Sequence, residues 1–275
     1  MRGGTPLDRM MNDLSARQSE IIALARTAGR VGVEDLAKRY EVSAQTIRKD
    51  LNDLCDRLLL TRVHGGAIIA SGVENIAYEA RRFVAAAEKR AIGVAAAALI
   101  PNSSSLFINI GTTTEEVAKA LATHEDLLVI TNNINVAMLL YQRPRIEVIV
   151  AGGTVRRTDG GVVGASASDL IRQFKVDHAV IGASAIEVDG TLLDFDYREV
   201  QVAQAILENS RHAILVADSS KLERSAPVRI AHIGQVQTWV TDGIGESAIR
   251  DVCRERKVTI VEALPRQNGD EDAEG

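Results

Sequence analysis

From residue 105 onward, short runs built mostly from Ile, Val, Leu and Ala alternate with amphipathic stretches, and no feature restricts the fold of this chain more. SLFINI, LLVIT, RIEVIVAGG, HAVIGAS and HAILVADSS have strand length and composition, whereas EEVAKALA, NVAMLLYQ, ASDLIRQF and REVQVAQAILENS have helical spacing. A strand that reads apolar on both faces must be covered on both faces. Such strands, joined by helices, predict an α/β domain with a mostly parallel sheet between two helical layers. Upstream, Glu88 to Ile100 is Ala-rich and apolar on one side, and Pro101–Asn102 stops it.

Ligands in such a sheet collect at the carboxyl ends of the strands. There this chain places small residues, hydroxyls and amides: Gly111-Thr112-Thr113-Thr114, Thr131-Asn132-Asn133, Gly152-Gly153, and Gly182 with Ser184. Glycines let backbone N–H groups approach an anion, and hydroxyls and helix N-termini add donors and a positive dipole. Lys221, just beyond the last of these strands, is a candidate counter-charge for a phosphate, although most single lysines lie on a surface. TLLDFDYREV brings Asp194, Asp196 and Glu199 close together. Carboxylates repel phosphate but accept hydrogen bonds from hydroxyls, which suits the polyol end of a sugar or glycerol phosphate; a solvated acidic loop capping the helix near Arg198 explains the same residues.

A second segment, residues 33–58, reads as two short helices joined by a tight turn. Ile47, Leu51, Leu54 and Leu58 form an apolar stripe on its second helix. The opposite face carries Gln45, Arg48, Lys49 and Asn52, with Ser43 placed as the cap and Thr46 in the first turn. Arg reads guanine and Gln reads adenine in the DNA major groove, so this face suits base recognition. An ordinary helical hairpin with a solvated face is the plainer alternative. Its neighbours favour DNA. Ser15 and Gln18 make a capping-box pattern for a preceding helix that Gly29 can end, and LLLTRVHGGAIIA reads as two strands around a Gly65–Gly66 turn. Three helices and a hairpin make a winged helix-turn-helix, with Arg62 and His64 on the wing beside the phosphates; a lone His is more often structural.

These features divide the 275 residues into a DNA-binding domain over 14–70, a connector over 71–90, a sensor domain over 91–264 and a polar, disordered tail over 265–275. The net charge of −5 is unevenly spread: residues 1–66 hold 11 Lys and Arg against 9 Asp and Glu, so the reader is mildly basic and the bulk acidic. Cys55 and Cys253 share no ligand spacing with His and read as core thiols. No metal or cofactor is expected. With no apolar segment of membrane length and no secretory leader, a cytoplasmic protein with no membrane partner is expected.

VSAQTIRKDLNDL followed by VHGGA, within a match over roughly residues 14–262, resembles the DeoR family of bacterial transcriptional repressors. The later half is similar to that family's effector domain, whose fold is related to ribose-5-phosphate isomerase, glucosamine-6-phosphate deaminase and CoA transferases. FINIGTTTEEVA, TNNINVA, AGGTVRRTDGGVVG, LLDFDYREV and ILENSRHAILVADSSK most resemble the members that govern glycerol-phosphate metabolism. The resemblance implies a homodimeric or homotetrameric repressor that binds operator DNA and is released by glycerol 3-phosphate. Departures are local: Lys49 stands where the family usually has Arg, Ala44 where it commonly has Pro, Gly32-Val33 where a hydroxyl cap is more usual, and Glu223 where glycine is frequent.

Two alternatives remain open at this point. One is a repressor answering to another sugar phosphate. The other is an isomerase-like enzyme with a fused DNA-binding module. The related isomerases carry Gly-Ala-Asp-Glu where this chain has Gly182-Ala183-Ser184-Ala185, which removes two acids but leaves Glu199 as a possible base. A scaffold with no ligand at all has no need of the Gly/Thr/Asn strand ends.

Overall fold

The computed structural model describes residues 14–28, 30–56, 60–63, 65–68 and 78–265. The chain divides into two compact units, residues 1–80 and 81–275.

In the first unit, α1 (Ala16–Ala28) opens on the expected capping box: Ser15 Oγ accepts from Gln18 N at 3.1 Å, and Gln18 Oε1 accepts from Ser15 N at 3.0 Å. Strand β1 (Arg30–Gly32) leads into α2 (Val33–Tyr40), which starts at Gly32 with no side-chain cap. Glu41 adopts a left-handed conformation, and Val42 N bonds back to Ala37 O, which makes the tight turn. Then α3 (Ala44–Asp56) begins under Ser43, whose Oγ accepts from Thr46 N at 3.1 Å. Ile47, Leu51 and Leu54 are fully buried with Ile21, Ala25, Val31 and Leu36. The predicted stripe is the core of this unit. Each such Ile or Leu contributes about 1.5–3 kcal/mol by leaving water.

The wing differs from its sequence expectation. Strands β2 (Thr61–Val63) and β3 (Gly66–Ile68) pair with Val63 opposite Gly66, so Gly66 lies in a strand and not in the turn. Gly66 is needed inside the strand: a Cβ there would lie 2.0 Å from Val31 O. That close approach comes from β1, which pairs with β3 as a third strand and was not foreseen. Leu58, Gly29, His64 and the tail from 266 lie outside the described residues.

Helix α4 (Tyr78–Phe83) spans the point of division, and α5 (Ala86–Ala97) follows, so the stretch expected to connect the domains becomes helical before residue 90. The second unit then alternates through the five strands and four helices expected, with further short strands and a closing strand–helix–strand that the sequence reading did not foresee. In chain order it contains β4 (Ser105–Ile108), α6 (Thr112–Leu121), β5 (Leu127–Thr131), α7 (Ile134–Leu140) and β6 (Ile146–Val150). A hairpin of β7 (Thr154–Val155) and β8 (Val162–Val163) precedes α8 (Ala165–Ile171) and β9 (Val176–Ile181). After β10 (Ala185–Ile186) and β11 (Thr191–Asp194) come α9 (Tyr197–Glu208), β12 (Ser210–Val216) and β13 (Val228–His232). The domain closes with β14 (Thr238–Thr241), α10 (Ala248–Glu255) and β15 (Thr259–Glu262).

Seven strands form one parallel sheet in the order β15-β14-β12-β9-β4-β5-β6. Alternate residues enter different cores. Phe107 belongs to the same core as Ala167, Ile206 and Cys253, while its neighbours Leu106 and Ile108 belong to the core that holds Ile92, Val117 and Val136. Helices therefore cover both faces, as the doubly apolar strands require. A small antiparallel sheet, β10-β11-β13, stands apart from it.

Candidate functional site

Strand order decides where a ligand can sit. The first strand of the sheet, β4, has β5 and β6 on one side and β9, β12 and β14 on the other. The connections leaving β4 and β9 diverge at that point, and the crevice between them is the favoured place for a ligand. A small open cleft lies there.

From β4, Gly111 to Thr114 enter the cleft. Gly111 precedes α6 with φ 152°, a conformation suited to glycine, and offers no side chain to cap the helix. The start of α6 thus meets the cleft uncapped by its own N-cap residue, a favourable place for an anion. Thr114 Oγ1 is committed to Asn109 O and Gly111 O at 2.8 Å each, so its role there is structural. From β9, Gly182 and Ser184 line the cleft. From the strand and helix after them come Asp194 and Glu199, both buried. Asp194 Oδ2 accepts from Ser184 Oγ at 3.0 Å and Oδ1 from Phe195 N at 2.6 Å. The acidic stretch is therefore a buried strand end, not a solvated loop.

Lys221 is buried too, 8% exposed, on a short 3₁₀ turn just past β12. Burial pulls its pKa below the ordinary lysine value, against the pull of Asp218 3.9 Å away. Three further cations stand near it that the sequence reading passed over. Arg81 and Arg224 line the cleft, and Lys89, only 2% exposed, donates to Arg81 O at 2.5 Å. Burial, then Lys221, brings Lys89 down to about 7. Burial and Arg81 likewise lower Arg224, whose Nε and Nη2 have no hydrogen-bond partner among the described residues. Asp218 is 1% exposed; burial works against its charge, yet Lys221 and Lys89 hold it below the usual carboxylate range. The chemistry is that of an anion site: donors in excess, desolvated in advance, with an arginine fork uncommitted.

Six expected residues are not brought to the cleft: Thr131, Asn132, Asn133, Gly152, Gly153 and Asp196. The first five follow β5 and β6, which lie on the far side of β4 from β9. Their polar groups serve the fold instead. Thr131 Oγ1 bonds Ile108 O at 2.7 Å, Asn132 Nδ2 bonds Val162 O at 3.1 Å, and Asn133 caps α7 and donates to Glu115. Gly153 sits against β8, where a Cβ would lie 3.1 Å from Val163 O. Asp196 caps α9, and Arg198 and Arg156 hold it down to about 2.

In the first unit, Gln45, Arg48, Lys49 and Asn52 are exposed on α3 opposite its buried stripe, and Ser43 Oγ and Thr46 Oγ1 lie 2.9 Å apart at its start. Arg62 lies on β2. Among the described residues no group of three or more His, Cys, Asp or Glu is arranged to hold a metal, and no helix is long and apolar enough to cross a membrane.

A DeoR-like helix-turn-helix domain matches residues 17–73 and a DeoR C terminal sensor domain matches residues 84–243. The chain belongs to the DeoR family. It is 44% identical to the glycerol-3-phosphate regulon repressor of Haemophilus influenzae, over 90% of this chain and 96% of that one. The glycerol-3-phosphate regulon repressor of Escherichia coli is 42% identical, covering 89% and 97%. The HTH-type transcriptional repressor CsqR of Escherichia coli is 39% identical, covering 92% and 96%. This DeoR-type chain is thus a transcriptional repressor, with a helix-turn-helix for operator DNA and a sensor domain for a small effector. Among solved structures, ribose 5 phosphate isomerase A from Neisseria gonorrhoeae aligns over 50% of this chain and 53% of that one, at 15% identity and a TM-score of 0.36.

Proposed function

We propose that this repressor controls genes of glycerol 3-phosphate metabolism and leaves its operator when glycerol 3-phosphate occupies the cleft. The observation that carries the reading is a cleft with two chemically opposite linings. Lys221, Arg81 and Arg224 are donors without enough acceptors, while Asp194 and Glu199 are buried acceptors in the same cleft. A phosphate satisfies the first set, and hydroxyls on a short carbon chain satisfy the second. Gly111, Thr112, Thr113, Gly182 and Ser184 frame the space between them. The names of the Haemophilus and Escherichia relatives favour glycerol 3-phosphate over other polyol phosphates.

On DNA, Gln45, Thr46, Arg48, Lys49 and Asn52 face the major groove, Ser43 fixes the start of the helix, and Arg62 and His64 on the wing meet phosphates. The repressor acts in the cytoplasm as a homodimer or homotetramer, since symmetric half-sites suit this motif. To be an inducer, the ligand must bind the DNA-incompetent state more tightly; about 100-fold corresponds to roughly 2.7 kcal/mol of coupling per site. Calorimetric titration with glycerol 3-phosphate, ribose 5-phosphate and fructose 6-phosphate, paired with operator gel shifts, tests the reading. Binding and release by glycerol 3-phosphate alone are expected. Release by a pentose or hexose phosphate, with glycerol 3-phosphate inert at millimolar concentration, refutes it.

A further inference from the structure

The AGGTVRRTDGG segment contributes no side chain to the cleft lining, yet one of its arginines is the most heavily engaged cation in the second unit. Arg156 follows β7 and is largely buried. Its Nε and Nη2 donate to Asp159 Oδ1 and Oδ2 at 2.8 and 2.6 Å. Nη1 donates to Asp196 Oδ2 at 3.0 Å, and Nη2 also donates to Glu199 Oε2 at 2.5 Å. One guanidinium thus joins its own loop to the cap of α9 and to the acid in the first turn of that helix. Among these four residues only Glu199 lines the cleft.

We propose that Arg156 is a positioning residue for effector selectivity: by fixing Glu199 as an acceptor, it lets the cleft prefer a hydroxyl-bearing phosphate ester to a bare phosphate. The inference rests on the reading of the cleft as an effector site. Bare phosphate needs only the cations at the other lining; of these Arg156 reaches Arg81 alone, and only through Asp159 Oδ2, which Arg81 Nη2 contacts at 3.4 Å. A polyol ester also needs an acceptor held in one place, and Glu199 is that acceptor. Burial and the adjacent Asp194 push Glu199 toward its neutral form and Arg156 pulls the other way; with Arg156 in place the balance stands at about 8. Burial works against the charge of Arg156, but Asp159 and Glu199 outweigh it and hold the guanidinium above its ordinary value. Asp194, Asp159, Asp196 and Arg156 are the charged groups that face Glu199 from the surrounding elements. Lysine cannot replace the fork, since one ammonium cannot serve three carboxylates in this planar arrangement.

The test is calorimetry on the full-length protein with two probes, glycerol 3-phosphate and inorganic phosphate, at pH 7 and pH 9. In wild type the ratio of the two affinities should rise as pH passes about 8 and Glu199 ionises. In Arg156→Gln, glycerol 3-phosphate should weaken about 10-fold or more while phosphate stays within about 2-fold. The rise of the ratio should also move to higher pH, because the cation that favoured ionisation is gone. Arg156→Lys should recover only part of the ratio, and Glu199→Gln should lower it and abolish its pH dependence. Equal losses for both probes in the Arg156 variants would reduce Arg156 to a structural brace and overturn the proposal. If Arg156→Gln does not fold, Glu199→Gln decides, and an unchanged ratio there is equally fatal. Wild-type protein that binds neither probe, or binds both alike, overturns the cleft reading itself, a failure distinct from that of Arg156.

Discussion

Arg48 and Lys49 on the proposed DNA-reading helix, and Lys221 and Arg224 in the proposed effector cleft with Lys89 behind them, are cations with opposite histories. The first pair is exposed and pays little to be charged. Their helix is held by Ile47, Leu51 and Leu54 on its other side, so fold and recognition use different faces. Cations at the cleft have already lost water; buried Asp218 offsets Lys89 and Lys221, and buried Asp194 adds to its pull on Lys221 and Arg224. An exposed cation waits for a polyanion and contributes through Coulomb attraction and base contacts. A buried, under-compensated cation is a cost of folding that an arriving anion relieves, so its ligand must be small and specific. Recognition and stability are separable at the first site and entangled at the second.

The largest expected effect breaks that entanglement. Lys221→Ala should weaken glycerol 3-phosphate about 10- to 100-fold, the worth of a charge-assisted bond, and leave the repressor on its operator at inducing concentrations. Stability in urea should hold or rise, because one under-compensated buried cation is gone while Lys89 still offsets Asp218. A variant that unfolds as wild type does and still responds would make Lys221 a bystander.

Arg48→Ala sharpens the other side. If Arg48 makes a bidentate base contact, operator binding should weaken by roughly 1–3 kcal/mol in a gel shift at fixed salt. Stability should stay within about 0.5 kcal/mol, as expected of an exposed position. Unchanged operator affinity would remove Arg48 from the reading surface.

The two sites also differ in how far the chain betrayed them. A helix face is written locally, so the spacing of Ile47, Leu51 and Leu54 was enough to place Gln45, Arg48, Lys49 and Asn52 opposite. The parallel sheet was legible for the same reason, since each strand carries its own apolar composition. The cleft was legible only strand by strand. Gly111, Ser184, Asp194 and Lys221 could be picked out as strand-end residues, but which ends meet depends on strand order, and order is not a local property. Thr131 and Asn132 look as suitable as Thr112 in the sequence, and their strand lies on the other side of β4. Arg81 and Lys89 escaped notice because they precede the sheet in a helical stretch that reads as a connector. A buried lysine eight residues from an arginine carries no signal in composition alone. In the wing, Gly66 read as a turn residue because its true constraint, the backbone of Val31, comes from a strand of three residues.

Proton linkage distinguishes the sites more gently. Before effector binds, Lys89 lies at about 7. A bound phosphate favours the charged form of that lysine, so binding takes up a proton. Effector affinity should therefore fall as pH rises through 7 to 9, by at most about 10-fold per pH unit for each proton involved. Operator binding without effector should show no such step, because Lys89 is not on that face. Stability has its own signs. Lys89, depressed on folding, makes the protein more stable as pH rises from about 7 toward 10.5, whereas Glu199, raised from 4.5, makes it less stable between 4.5 and about 8. Calorimetry in buffers of different ionisation enthalpy counts the protons directly; none taken up at pH 8, where the phosphate monoester is already ionised, would refute the linkage.

The smallest effect probes whether the exposed site is as separable as its geometry suggests. Ser43 Oγ caps α3 through Thr46 N and also contacts the Thr46 hydroxyl, so it belongs both to the frame of the helix and to its reading end. Ser43→Ala removes the cap acceptor and should cost about 1 kcal/mol in helix stability. Fraying of the first turn would loosen Gln45 and Thr46, which sit inside it, more than Arg48 and Lys49 one turn further on. Operator affinity should then fall only a few-fold, and Ser43→Asp should restore the thermal stability, because a carboxylate caps as well and suits the helix dipole. It should not restore the affinity, because a negative charge at the reading end faces DNA phosphates. Recovery of stability and affinity together in Ser43→Asp would mean that Ser43 only braces the helix, and that the reading face begins beyond its first turn.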